Sequence, residues 1–271
     1  MFATINQRSG KIGIYSNECF GQTMMARLKS CVLVIIICSA FSGCTFFEDS
    51  SGSFELEVFM SANSGTIVES YFDGDLESEN KVTISFNFSK TTVDLRLIGV
   101  DKNDGSDPIE EPTDEELILD VEFQNHGNYS VSVYAVSLDG FRESFTTKIT
   151  IDLQINWVEN STSNPIPLEL NPIPKNGGEH PTMIDIESEI FNPSILNDFS
   201  GGRSVQFSWT ITDELGDTCQ RMEGEVSDGE SELWQTLYFN TFLLHELGVS
   251  YEDGQDLIDV HHEVLITYNS E

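Results

Sequence analysis

The residues that could carry chemistry fall into a few short groups. His245-Glu246-Leu247-Gly248 has a His and a Glu side by side, but a two-imidazole zinc face on a helix needs a second His four positions on, and Val249 stands there. His261 and His262 are neighbours in a segment with strand patterning. Adjacent strand residues point to opposite faces, so the two cannot readily ligate one metal. Catalytic zinc is therefore not expected. Asp101-Lys102-Asn103-Asp104-Gly105-Ser106-Asp107 is richer in oxygen donors. Asp101, Asn103 and Asp107 can surround a weakly held extracellular Ca²⁺, which would stiffen the loop. The competing reading is a long acidic hairpin in which Asn103-Asp104-Gly105 supplies the left-handed turn.

Three Asn-x-Ser/Thr triplets, at Asn87, Asn128 and Asn160, are glycosylation candidates, and Asn160 sits in the most Pro-rich surroundings. No Gly-x-Ser-x-Gly, phosphate loop or dinucleotide fingerprint occurs, and no Ser/His/Asp set can be assembled by spacing. A non-enzymatic protein with no cofactor beyond Ca²⁺ is the first expectation. A metal-dependent enzyme with an unrecognised site is an alternative.

Composition narrows the partners. The chain has 271 residues and a net charge of −33, with 46 acidic against 13 basic residues. Charge of that sign repels polyphosphate, so nucleic acid is not a partner. The acidic residues are spread along the chain, as on a solvated surface, with divalent-cation binding as the sharper alternative. Hydrophobic content is 39%, but aromatic content is 10% with 18 Phe, enough to build packed cores.

The N-terminal region reads as an address. Arg27 and Lys29 precede an apolar run from Cys31 to Ile37, and small residues follow. This is the layout of a secretory signal. The uncharged stretch from Ser30 to Cys44 has 15 residues, too short for a comfortable membrane span. Phe41-Ser42-Gly43-Cys44 resembles the lipobox of prokaryotic (bacterial or archaeal) lipoproteins, matching at Ser42, Gly43 and Cys44, with Phe41 where Leu is usual. The resemblance implies cleavage before Cys44 and a diacylglyceryl thioether on its sulfur. Residues 1–43 are then signal peptide, with Met24 or Met25 as the true start, and 44–53 a lipidated tether. Of five cysteines, only Cys44 and Cys219 would remain, so no internal disulfide is expected.

From residue 54 on, the pattern has period two, the strand signature. Phe54–Ser61, Lys81–Ser89, Thr92–Val100, Glu116–Phe123, Tyr129–Val136 and Phe145–Ile155 read as strands of one antiparallel sandwich over 54–155. Leu95, Leu97 and Gly99 are expected on one face of their strand and Ile98 on the other. Asn125-His126-Gly127-Asn128-Tyr129-Ser130-Val131-Ser132-Val133 resembles the F strand of immunoglobulin-like folds, and more closely that of PKD-type domains. The resemblance implies a tyrosine corner at Tyr129. Residues 156–181 hold five of the eight prolines and read as a linker or an edge segment. Met183–Phe191, Val205–Thr212, Cys219–Val226, Leu233–Asn240 and Val260–Tyr268 then give a second sandwich-like domain over 182–271, with Trp209 in its core and Thr241–Leu247 as one or two helical turns.

The expected fold class is all-β: two antiparallel β-sandwiches in tandem after a signal peptide. The expected function is an outward-facing, membrane-anchored surface lipoprotein, held through Cys44, that displays a binding, adhesion or structural surface for a glycan or surface protein. A solute-binding or accessory subunit of a transport or secretion system is the second reading. An aromatic-lined pocket between the domains would favour it.

Overall fold

The computed structural model describes residues 53–114, 116–194, 203–251 and 255–269. The expected signal segment 1–43 and Cys44 lie outside the described residues. Every regular element among those described is a β-strand, and no helix there is long and apolar enough to cross a membrane.

In the first half, β1 (Phe59–Met60), β2 (Ser64–Phe72), β3 (Asp75–Glu79), β4 (Val82–Asn87), β5 (Leu95–Asp101), β6 (Ile109–Pro112), β7 (Ile118–Phe123), β8 (Gly127–Ser137) and β9 (Arg142–Thr162) follow in order. A three-stranded sheet, β1-β4-β7, faces the layer in which β5, β8 and β9 are consecutive. This is the A-B-E against C-F-G order of an immunoglobulin-like sandwich. Alternation explains it: Ile84 and Phe86 of β4, Val121 and Phe123 of β7, and Val131 and Val133 of β8 are all fully buried. Phe123 meets Tyr129 edge-on, with ring centroids 4.9 Å apart. In β5 the buried side chains are Ile98 and Val100, while Leu95 and Leu97 are half-buried, the reverse of the sequence expectation. A register shift between Leu95 and Leu97 accompanies the change of face.

The second half adds β10 (Leu168–Leu170), β11 (Met183–Phe191), β12 (Val205–Asp213), β13 (Thr218–Val226), β14 (Ser231–Tyr238), β15 (His245–Tyr251) and β16 (Ile258–Thr267). The sheet β10-β15-β12-β13 packs on β14, β11, β16 and the C-terminal part of β9. Trp209 crosses the interior, its Nε1–H donating to Ser188 Oγ at 2.6 Å.

Two expectations are corrected. Thr241–Leu247 is not helical, because His245, Leu247 and Val249 alternate inward on β15, which pairs with both β10 and β12. Residues 156–181 are not a plain linker either, and the edge-segment reading holds at Leu168–Leu170, the edge strand of its sheet. β9 runs past the expected boundary to Thr162, and Leu168–Leu170 joins the second sandwich. The physical reason lies in β9 itself. Its inward set continues unbroken through Ile149, Ile151, Leu153, Ile155 and Trp157 into Glu159, so the strand has no place to stop at 155.

The two halves therefore share a strand. Leu153 of β9 pairs with Ile67 of β2, which runs parallel, on one edge and with Ile266 of β16 on the other. β8 pairs with β9 as far as Ile151, and β16 takes over from Leu153. The buried apolar residues of both halves form one cluster, and the described residues belong to one compact unit. Independent sandwiches would unfold in separate steps. A shared strand and a continuous core lead instead to one cooperative urea transition, coincident by tryptophan fluorescence and far-ultraviolet circular dichroism. Two resolved transitions would contradict this linkage.

Candidate functional site

The joint between the halves holds a cleft of about 450 Å³, within the size range of small-molecule sites. Its floor is the inward face of the shared strand. Ile67 of β2 and Leu153, Ile155 and Trp157 of β9 line it. The Tyr71 ring lies against Trp157, with centroids 5.4 Å apart and planes inclined by 32°. Glu69 and Glu79, from paired strands β2 and β3, form one wall with Tyr71. Gln124, Asn125 and His126 contribute at the turn into β8, and the strap from Ile166 to Lys175 covers the remaining side.

Buried polar contacts hold these parts in place. Glu159 is almost wholly buried, accepting from Trp157 Nε1–H at 2.9 Å and from the Ile166 N–H at 3.0 Å. One carboxylate thus fixes the indole and docks the strap, whose prolines restrict its backbone. At the other end, His126 Nδ1 and Tyr268 Oη are 2.6 Å apart, and the Tyr268 N–H donates to Asp152 Oδ1 at 3.0 Å. Gly127 has φ of 144°, and a Cβ there would press on the Asn176 side chain, whose Nδ2 donates to Asn128 O. Glycine is required at that position for both reasons.

The electrostatics differ from wall to wall. The Tyr71 hydroxyl donates to Glu69 Oε2 at 2.9 Å. Its pKa is pushed up to about 12, first by burial, then by the Glu69 bond and charge, and by the charge of Glu79. His126 is pushed down to about 4, mainly by burial, with the Lys175 charge adding to it. It is neutral at ordinary pH. Among the described residues, no Ser, Thr or Cys lines the cleft. The arrangement can bind a polar ligand over an apolar floor.

The residues singled out from sequence are not brought together here. Tyr129 is buried, and its hydroxyl donates to Asn125 O at 2.7 Å, pinning the turn that leads into β8. Trp209 is fully buried in the second half. Asp101 Oδ1 accepts the Asn103 N–H at 2.8 Å, and Asn103, with φ of 52°, turns its amide toward Ser132 Oγ at 3.0 Å on β8. Asp107 is exposed beyond that turn. Among the described residues, no group of three or more His, Cys, Asp or Glu side chains is placed to hold a metal. Asn87 and Asn128 are half-buried, and their Oδ1 atoms accept from the Ser89 N–H and from Thr150 Oγ1, each at 2.9 Å. Asn160 is exposed near the end of β9. His261 is exposed and His262 buried, on opposite faces of β16. Cys219 is exposed and free.

The cleft residues escaped the sequence reading because they come from four separate segments with no common spacing. One local signal existed. Asp73-Gly74, with φ of 47° and 88°, is the turn joining β2 to β3, and Asp-Gly is a strong hairpin signature.

No family model matches this chain, and no curated protein matches it. Among solved structures, it is similar to carbohydrate-binding modules of the β-sandwich superfamily, with 11% identity over 78% of this chain and 96% of that one, at a TM-score of 0.29. Fibronectin(III)-like modules of Clostridium thermocellum CbhA give 15% identity over 79% and 94%, at 0.25. Bacteroides uniformis β-glucuronidase 2 gives 8% identity over 79% of this chain but 30% of the enzyme, at 0.27. With scores this low, the functional reading rests on this chain's own residues.

Proposed function

We propose that this chain is an outward-facing lipoprotein, held in the membrane through Cys44, whose immunoglobulin-like body is a non-catalytic binding module working through the cleft at the joint. The address is supported by the lipobox-like Phe41-Ser42-Gly43-Cys44 and the short apolar run before it. The PKD-like pattern around Tyr129 agrees with a display module. The observation that carries the binding role is the cleft itself: a preformed concavity with an aromatic and aliphatic floor and polar groups on every side.

A panel of neutral oligosaccharides, amino sugars and short peptides titrated into the full-length chain in detergent tests this reading. The expected result is a panel member that shifts the indole N–H resonance of Trp157 and loses that effect in Tyr71→Ala. Shifts confined to other regions, or turnover of a panel member, would contradict it. The aromatic pair Tyr71–Trp157 at the joint also favours the second reading, in which the module hands a captured solute to a membrane transport system. Both readings place the ligand in the same cleft.

A further inference from the structure

Glu69 and Glu79 stand directly opposite one another in the β2–β3 ladder. Like charges at such a position repel and weaken a two-stranded ribbon. The ion pairs found among the described residues leave both of them out. Lys81, the cation adjoining β3 in sequence, makes its ion pair with Glu122 at 2.8 Å, and the charge of Glu79 acts on it more weakly. The Tyr71 ring lies along the same wall, tied by its hydroxyl to Glu69 and backed by Trp157.

The pKa of that hydroxyl is raised first by burial and then by the Glu69 bond and the charges of Glu69 and Glu79, so both carboxylates act on this wall. Lys175 acts on His126, at the other end of the cleft, where Glu169 also lines the strap. A compact ammonium would find two carboxylates to accept its hydrogen bonds and an aromatic ring for cation–π contact. The net charge of −33 draws cations toward the surface as a whole.

We propose that the cleft selects ligands that present an organic ammonium group to Glu69, Glu79 and the Tyr71 ring. This inference rests on the reading of the cleft as the ligand site and specifies what that site recognises.

The test is calorimetric titration of the full-length chain, in non-ionic detergent and at physiological salt, with two probes of equal length: the β-1,4 glucosamine trimer and its fully N-acetylated counterpart. The pair differs in charge but not in backbone. The charged trimer is expected to bind at least tenfold more tightly. Glu79→Gln should weaken it by about tenfold, as loss of a close charge partner does, and Tyr71→Ala should also weaken it. Glu116→Gln, at an exposed position outside the cleft, should leave it unchanged. Glu79→Gln should also melt no lower than the parent, since it relieves the like-charge pair. Equal binding of the two trimers, binding untouched by Glu79→Gln, or no binding of the charged trimer would each overturn the proposal. The first of these would leave the cleft as a ligand site and remove only the charge selection. The binding role itself fails if no panel member reaches Trp157, and its non-catalytic character fails if a panel member is turned over.

Discussion

Trp209→Ala is expected to lower the unfolding free energy by about 4 kcal/mol, in the range typical of a buried Trp cut to Ala. Trp209 is fully buried, packed edge-on against Phe207 at 4.7 Å and near Trp234 at 5.8 Å. It is also one end of a buried polar chain. Its Nε1–H donates to Ser188 Oγ, and that oxygen lies 2.8 Å from His262 Nδ1. Ser188 Oγ accepts from the indole and shares one hydrogen with His262 Nδ1, so it links the two rings. Alanine would empty the centre of the second sandwich and leave Ser188 without its donor. Trp209→Phe keeps most of the apolar volume and should cost about 1–2 kcal/mol, chiefly the lost hydrogen bond. Urea denaturation at neutral pH measures both. A loss below about 1 kcal/mol in Trp209→Ala would show that this chain is not the centre of the core.

The second large effect is on pH dependence. His262 is held down to about pKa 3, first by burial, with a His261 backbone hydrogen bond opposing and the His261 charge adding to it. An unfolded His titrates near 6.5. Above that pH both states are neutral and the group contributes nothing to the slope. Below it, the unfolded chain binds a proton that the folded chain refuses, so stability falls by up to about 1.4 kcal/mol per pH unit until the folded pKa is reached. The loss from this one residue is about 2 kcal/mol by pH 5. His126, pushed down to about 4, acts in the same direction. Asp152, raised by burial, acts oppositely and stabilises as pH falls. Acidification also relieves the self-repulsion of a chain at −33. The contribution of His262 is therefore isolated by difference. The stability advantage of the parent over His262→Gln should shrink by about 2 kcal/mol between pH 7 and pH 5. A difference that stays constant with pH would mean that His262 is not held neutral.

Much of the fold was legible because most strands bury one face. Val205, Phe207, Trp209 and Ile211 alternate as cleanly in the sequence as they do in β12. The elements that escaped are those whose pattern is decided by neighbours. β3 is Asp-Leu-Glu-Ser-Glu and exposed throughout, and β6 is an acidic strand that, among the described residues, pairs only with β5. Neither carries an inward stripe to read. β15 follows a loop with two exposed Phe, and its two sheet partners, not its sequence, set its conformation. The prolines after Thr162 suggested a linker, yet they shape a strap that Glu159 docks onto the body. The cleft was the least legible part. Glu69 and Glu79 become neighbours only through the β2–β3 ladder, and Tyr71 meets Trp157 only through a parallel pairing between residues far apart in sequence.

In the proposed anchored display, a binding module is held at the membrane by Cys44. The intact mass of the protein extracted from membranes tests it most directly. The expected species begins at Cys44, carries a diacylglyceryl group on that residue, and has Cys219 unmodified. A chain that retains residues 1–43, or one that begins at Cys44 without the lipid mass, would contradict it.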